Sequence, residues 1–206
     1  MRLAGRAEPP VEPLAAPVLQ GDRYGGRPVY FSDVIVGRDS PFRSFADLRG
    51  GSWAYNDADS HSGYNITRYH LVRLRETGGF FGRVVEAGWH QRSIRLVATG
   101  EVDASAIDSQ VLAVELRDHP ELAARLRVIA TFGPSTIQPV VAARRLPARL
   151  RAAIRAALLA MGDDPAARGP LAHGFIARFA PVDDASYDDI RAMLAAVEAA
   201  AFTTLR

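Results

Sequence analysis

The stretch Asp57-Ala58-Asp59-Ser60-His61-Ser62-Gly63-Tyr64 decides how this chain is read. It lies between a short apolar segment, Ser52 to Asn56, that reads as a strand and an amphipathic segment, about Tyr64 to Thr77, that reads as a helix. Small hydroxyl residues at such a junction cap the helix and satisfy its first backbone donors. The same hydroxyls and N–H groups can face an anion, where the helix dipole favours negative charge. By itself the loop reads as a cap and a turn, so its meaning depends on the elements around it.

Working outward, the pattern alternates. Val29 to Val36 is apolar and β-branched and reads as a strand. Ser44 to Leu48 reads as a short helix ended by Gly50-Gly51. Arg83 to Ala87 is a strand, Gln91 to Ala98 a helix, Val102 to Ile107 a strand and Ser109 to Arg117 a helix. Pro120 to Leu126 is a further helix and Arg127 to Phe132 a strand, which Gly133-Pro134-Ser135 is expected to stop. Beyond it come a strand at Pro139 to Ala143 and helices at Leu146 to Met161, Leu171 to Phe179 and, capped by Ser186, to about Phe202. Residues 1 to 27 read as irregular, apart from a short strand at Leu14 to Leu19.

Strand and helix thus alternate through residues 41 to 135, which predicts a small, mostly parallel α/β unit. The strands at Val29–Val36 and Pro139–Ala143 bracket it. The expected organisation is therefore two lobes joined by two crossings, with residues 1–40 and 136–206 in the first lobe and 41–135 in the second.

Composition narrows the function classes. The 206 residues carry a net charge of only +2, and every basic residue is arginine, so nothing points to nucleic acid. There is no cysteine, which excludes a disulfide scaffold and a thiol nucleophile. No segment approaches the ~20 apolar residues of a membrane span, and residues 1 to 17 hold no apolar run of signal-peptide length.

Ligands of open α/β sheets bind beyond the carboxyl ends of the strands. Ser60, His61 and Ser62, His90, and Asp108 with Ser109 all occupy such positions. Parallel, adjacent strands would bring the three loops to one edge and form a small-molecule cleft. The same residues admit a serine-hydrolase reading, with Ser60 or Ser62 as nucleophile, His90 as base and Asp108 as orienter. No Gly-x-Ser-x-Gly elbow supports it. Asp57, Asp59 and His61 match no established metal-ligand spacing, and no metal or other cofactor is expected. Gly78-Gly79-Phe80-Phe81-Gly82 reads as a helix stop followed by core aromatics.

Several segments in order carry a family resemblance: Pro28 to Val36, Ser44-Phe45-Ala46-Asp47-Leu48-Arg49-Gly50, Ser60-His61-Ser62-Gly63, Gly88-Trp89-His90-Gln91-Arg92-Ser93, Val102 to Ser109, and Phe179 to Ile190 with Tyr187. The chain resembles the periplasmic substrate-binding proteins of phosphate, phosphite and phosphonate ABC transporters. The resemblance implies an α/β, two-lobed clamp of the type II periplasmic binding class. It implies a non-catalytic protein that binds a small oxyanion, delivers it to an ABC permease and works in the periplasm without entering the membrane.

By the same resemblance, Ser60, His61, Ser62 and Gly63 hold the oxyanion through hydroxyls and backbone N–H groups. Tyr30 adds a hydroxyl from the other lobe, and His90 and Asp108 contact the rest of the ligand. Two departures stand out. His61 occupies a position that is usually threonine, and with Asp108 it favours the alternative of an amine- or heterocycle-binding relative, such as a sulfonate or thiamine-precursor binder; a ligand-sensing domain that reads the ligand without transport is a further option. The family's N-terminal strand–helix segment also has no counterpart here, so the first lobe is expected to be incomplete and its helices to leave apolar faces exposed.

Overall fold

The computed structural model describes residues 10–205. The expectations for residues 1–9 lie outside them. In chain order the strands are β1 (Val11–Leu19), β2 (Val29–Gly37), β3 (Ser52–Tyr55), β4 (Arg83–Glu86), β5 (Ala104–Asp108), β6 (Leu126–Thr136), β7 (Val140–Ala143) and β8 (Ile176–Ala180). The α-helices are α1 (Ile66–Arg73), α2 (His90–Ala98), α3 (Ser109–Asp118), α4 (Pro120–Arg125), α5 (Ala148–Ala160), α6 (Arg168–His173) and α7 (Asp188–Ala199). The strands form a three-stranded sheet, β7-β1-β8, and a five-stranded sheet, β4-β3-β5-β2-β6.

The chain divides into two compact units, one of residues 1–30 and 135–189, the other of residues 31–134 and 190–206. This differs from the expected division at two places. The strand at Val29–Val36 does not bracket the α/β unit; β2 joins its sheet and pairs antiparallel with β5, Ser32 opposite Asp108 and Val36 opposite Ala104. The C-terminal residues 190–206 also belong to the second unit, so the chain crosses between units three times rather than twice.

In the second unit β3 pairs parallel with both β4 and β5. With β2 antiparallel, the sheet is mixed. Its two faces are covered by separate apolar layers. One centres on Trp53, Phe45, Phe80, Phe81 and Phe132 and takes in Val197, Phe202 and Leu205 from the C-terminal segment. The other joins Ile35, Ala54 and Ile107 to Ile94 and Val97 of α2 and Leu112 of α3. Strand alternation sorts the residues: Ala104 and Ala106 face the first layer, Ile107 the second. Phe80 and Phe81 are core, as their position after the double glycine predicts.

Two local expectations fail for identifiable reasons. Gly133-Pro134-Ser135 does not stop the strand, because β6 is an edge strand, where a residue without an N–H removes no ladder bond. Leu171 to Phe179 is not one helix. The chain turns at Gly174 and at Phe175, whose φ is 54°, and Ile176–Ala180 pairs antiparallel with β1.

In the first unit Arg155 donates from Nε to Leu14 O (2.7 Å) and from Nη2 to Val182 O (2.9 Å), tying α5 to β1 and the β8 exit. Apart from these polar ties α5 buries no residue fully, and Leu150 is 43% exposed.

Candidate binding site

Because β4, β3 and β5 are adjacent and run parallel, their carboxyl ends share one edge of the second unit's sheet. Three loops leave that edge: Asn56–Ser60, Ala87–Trp89 and the start of α3 at Asp108.

The serine loop is built by local capping. Ser60 has extended backbone, φ −72° and ψ 133°, and its Oγ accepts from Gly63 N–H at 3.2 Å. One π-helical turn, His61–Asn65, follows and leads directly into α1. The Gly63 N–H expected to face an anion is therefore engaged by Ser60.

Gly63 is required by close approach. A Cβ there would sit 1.9 Å from Asn56 Oδ1 and 3.3 Å from His90 Cε1.

His90 starts α2 and is 9% exposed. Its Nε2 lies 3.0 Å from Ser62 Oγ. Burial pushes its pKa down to about 4, so the ring is neutral near pH 7. The unfolded chain takes a proton near the ordinary value of 6.5, whereas the folded chain resists until about 4. This contribution to stability is full above 6.5 and is lost as pH falls toward 4, by up to about 3 kcal/mol. Urea unfolding at a series of pH values is expected to show that decline, and His90→Gln to remove this share of it.

His61 is buried, and Asn65 faces its Nδ1. Arg68 Nη2 donates to Asn65 Oδ1 at 3.2 Å, which leaves the Asn65 amide nitrogen facing His61 Nδ1 at 3.3 Å. An amide nitrogen donates, so Nδ1 accepts and a neutral His61 carries its hydrogen on Nε2. Arg68 also reaches the C-terminal segment. Its Nη1 donates to Phe202 O and Thr203 O, both at 3.1 Å, while its guanidinium lies 4.7 Å from the Tyr64 ring centroid.

Sequence reasoning missed this buttress. Asn65 and Arg68 are unremarkable polar residues on a helix, and the only signal was the apolar Phe202 and Leu205 near the chain's end. Arg68→Met is expected to destabilise the unit by about 1–3 kcal/mol. It should also speed amide hydrogen exchange in residues 200–205, measured by mass spectrometry.

Asp108 is a buried N-cap: its Oδ1 accepts from Gln110 N–H (2.8 Å) and Val111 N–H (3.4 Å) of α3. Ser109 Oγ accepts from Phe31 N–H at 3.2 Å and pins the start of β2. The hydrolase geometry is half present. Ser62 and His90 are in contact, but His90 Nδ1 has no hydrogen-bond partner, so Asp108 does not orient the ring. Tyr30 is the last residue of the first unit and is buried. Trp89, next to His90, is 61% exposed. Among the described residues no group of three or more acidic or histidine side chains could hold a metal ion, and no helix is long and apolar enough to cross a membrane.

This mixed α/β fold is that of the type II periplasmic binding proteins. The binding-protein component of a phosphonate ABC transporter from Pseudomonas aeruginosa aligns with a TM-score of 0.79 at 22% identity, over 92% of this chain and 63% of that one. PhnD1 from Prochlorococcus marinus, solved with methylphosphonate, aligns with a TM-score of 0.72 at 18% identity, over 88% and 70%. A Xanthomonas citri protein solved with a chloride ion aligns with a TM-score of 0.70 at 21% identity, over 94% and 72%. The profile of the periplasmic substrate-binding proteins of phosphonate ABC transporters matches residues 3–187, and the chain belongs to that family. The chain spans just under two thirds, 63%, of the Pseudomonas protein's length.

Proposed function

We propose that this chain is a non-catalytic, periplasmic solute-binding protein that takes up a small oxyanion, a phosphonate, phosphite or phosphate, and hands it to an ABC permease. The observation that carries the reading is the buried Ser62–His90 pair, 3.0 Å apart, at the start of the helical segment after β3. A neutral imidazole and hydroxyls, with the first N–H groups of a helix, recognise an anion through hydrogen bonds. Ser60, His61, Ser62 and Gly63 surround the oxyanion in this reading, His90 and Asp108 contact it from the neighbouring loops, and Tyr30 contributes a hydroxyl from the other unit. Binding stabilises a closed arrangement through contacts made only there. Nucleic acid and membrane insertion have no part in it.

Calorimetry with methylphosphonate, phosphite, phosphate, sulfate and taurine tests the proposal. One phosphorus oxyanion is expected to bind, and Ser62→Ala to weaken it roughly tenfold to a hundredfold, the equivalent of one hydrogen bond to a charged group. Binding of taurine alone would reassign the protein to sulfonates, and binding of none would overturn the oxyanion reading.

A further inference from the structure

Arg68 is half-buried, and its guanidinium donates to neutral oxygens: Nη1 to Phe202 O and Thr203 O, both at 3.1 Å, and Nη2 to Asn65 Oδ1 at 3.2 Å. Its buried Nε has no partner. No carboxylate among the described residues pairs with it, and burial lowers its pKa against the opposing pull of Tyr64 and Glu198. A charge taken out of water without a counter-charge is costly, so such a cation favours an anion nearby. A route toward the anion is drawn by hydrogen bonds along one helical stretch, between residues three and four apart. Because Asn65 Oδ1 is committed to Arg68, the amide nitrogen donates to His61 Nδ1 at 3.3 Å. Asn65 and His61 are both buried. With Nδ1 accepting, a neutral His61 offers a donor, and only a donor, at Nε2. A threonine hydroxyl in its place could donate or accept and would need no such orientation.

We propose that Arg68 and Asn65 are positioning residues for the oxyanion, joined to it by a hydrogen-bond relay, Arg68 to Asn65 to His61, that ends in a fixed donor at His61 Nε2. The proposal rests on the oxyanion reading above, which sets His61 among the groups around the anion. Each link is oriented by the one behind it. A guanidinium can only donate, so the Asn65 amide turns its oxygen to Arg68 and its nitrogen to His61. Each link is also polarised in the same direction, and hydrogen bonds in such chains strengthen one another. An arginine that does not touch the ligand thereby helps to hold it. The oxygen that meets His61 must accept, which suits an ionised oxygen better than a protonated one. The relay begins at the C-terminal segment, because Arg68 is anchored on Phe202 O, 134 residues away in sequence, and on Thr203 O. That segment is therefore part of the support of the site.

Calorimetry on the full chain with methylphosphonate, phosphite and phosphate tests the relay. Arg68→Met and Asn65→Leu are made in the unsubstituted protein and again in His61→Thr. Asn65→Leu leaves the charge of Arg68 and its bonds to Phe202 and Thr203 in place, so it cuts the relay alone and decides the matter if Arg68→Met does not fold. Each substitution is expected to weaken the bound oxyanion by about tenfold, one hydrogen bond's worth, and the two together by no more than either alone. In His61→Thr neither should change affinity by more than about twofold, the scatter expected of residues that no longer interact. A structural role alone would lower affinity alike in both backgrounds, or lower stability and leave affinity untouched, and either result overturns the inference. Long-range proton–nitrogen NMR of nitrogen-15 histidine-labelled protein gives a second readout, with His61 assigned by its loss in His61→Thr. The Nε2–H form is expected, and Nδ1–H in the unsubstituted protein would overturn the relay. Failure of the unsubstituted protein to bind any of the three oxyanions would instead overturn the functional reading and the ligand side of the inference with it, while the tautomer still decides the Arg68–Asn65–His61 pairing.

Discussion

Gly63→Ala is expected to abolish useful ligand binding while leaving most of the second unit folded. The added methyl would overlap Asn56 Oδ1, at 1.9 Å, and press on His90 Cε1, at 3.3 Å. Asn56 is a short side chain and can rotate away from the added methyl. His90 has less room, because its ring is buried at the start of α2 and its Nε2 is engaged with Ser62. Overpacking of this kind costs about 1–3 kcal/mol. The effect on affinity should be larger in proportion, at least about a hundredfold, because two hydrogen-bonding groups move together. Thermal melts and calorimetry on Gly63→Ala check both parts. The double variant Asn56→Ala, Gly63→Ala removes the partner in the clash, so it should regain stability without regaining affinity. If Gly63→Ala bound as tightly as the parent, the close approach around Gly63 would have no bearing on the site.

Phe45→Ala should produce the largest loss of stability, about 3–5 kcal/mol. Phe45 is a hub of the aromatic layer under the five-stranded sheet. Its ring is stacked on Phe80 with centroids 5.2 Å apart and meets Trp53 (5.9 Å), Phe81 (6.1 Å), Phe132 (5.1 Å) and His70 (5.0 Å) edge-on. Offset and edge-to-face contacts add to the area buried, and truncation leaves a cavity walled by rigid rings that cannot close over it. Trp53, fully buried and stacked on Phe81, would fall in the same range. Urea unfolding followed by circular dichroism measures the change. A loss under about 1 kcal/mol would mean that the layer rearranges freely, contrary to the packing density of protein cores.

The two effects sit on opposite sides of a division of labour within one unit. The aromatic layer holds one face of the sheet and fixes β3 between β4 and β5. That placement brings the serine loop and the His90 loop to the same edge, where Ser62 and His90 can pair. A core variant should therefore lower stability first and affinity only through the folded fraction. Gly63→Ala should do the reverse.

The site was legible in part. Hydroxyl residues before a helix, and polar residues after apolar β-branched runs, follow from capping and from the rule that ligands bind beyond strand ends, and both are written in neighbouring residues. Ser60, Ser62, His90 and Asp108 could be chosen on that basis. What each does was not legible. Asp108 Oδ1 also caps α3, Ser60 Oγ also accepts from Gly63 N–H, and Asn56, a polar residue at a strand end, looks like any turn residue.

The sequence by itself determined the alternation of strands and helices through residues 41 to 135, the aromatic core after Gly78-Gly79 and the capped loop at Ser60, because periodicity, turn chemistry and capping act over a few residues. Tertiary structure alone decided that β2 lies inside the five-stranded sheet, antiparallel to β5, and that β6 runs on through Pro134 as an edge strand. It alone brought residues 200–205 back to Arg68 and Tyr64 and set Ser62 against His90. These are choices of partner between segments far apart in the chain. They are settled by which apolar faces can be buried together and which backbone groups remain to be paired, a balance that local pattern does not encode.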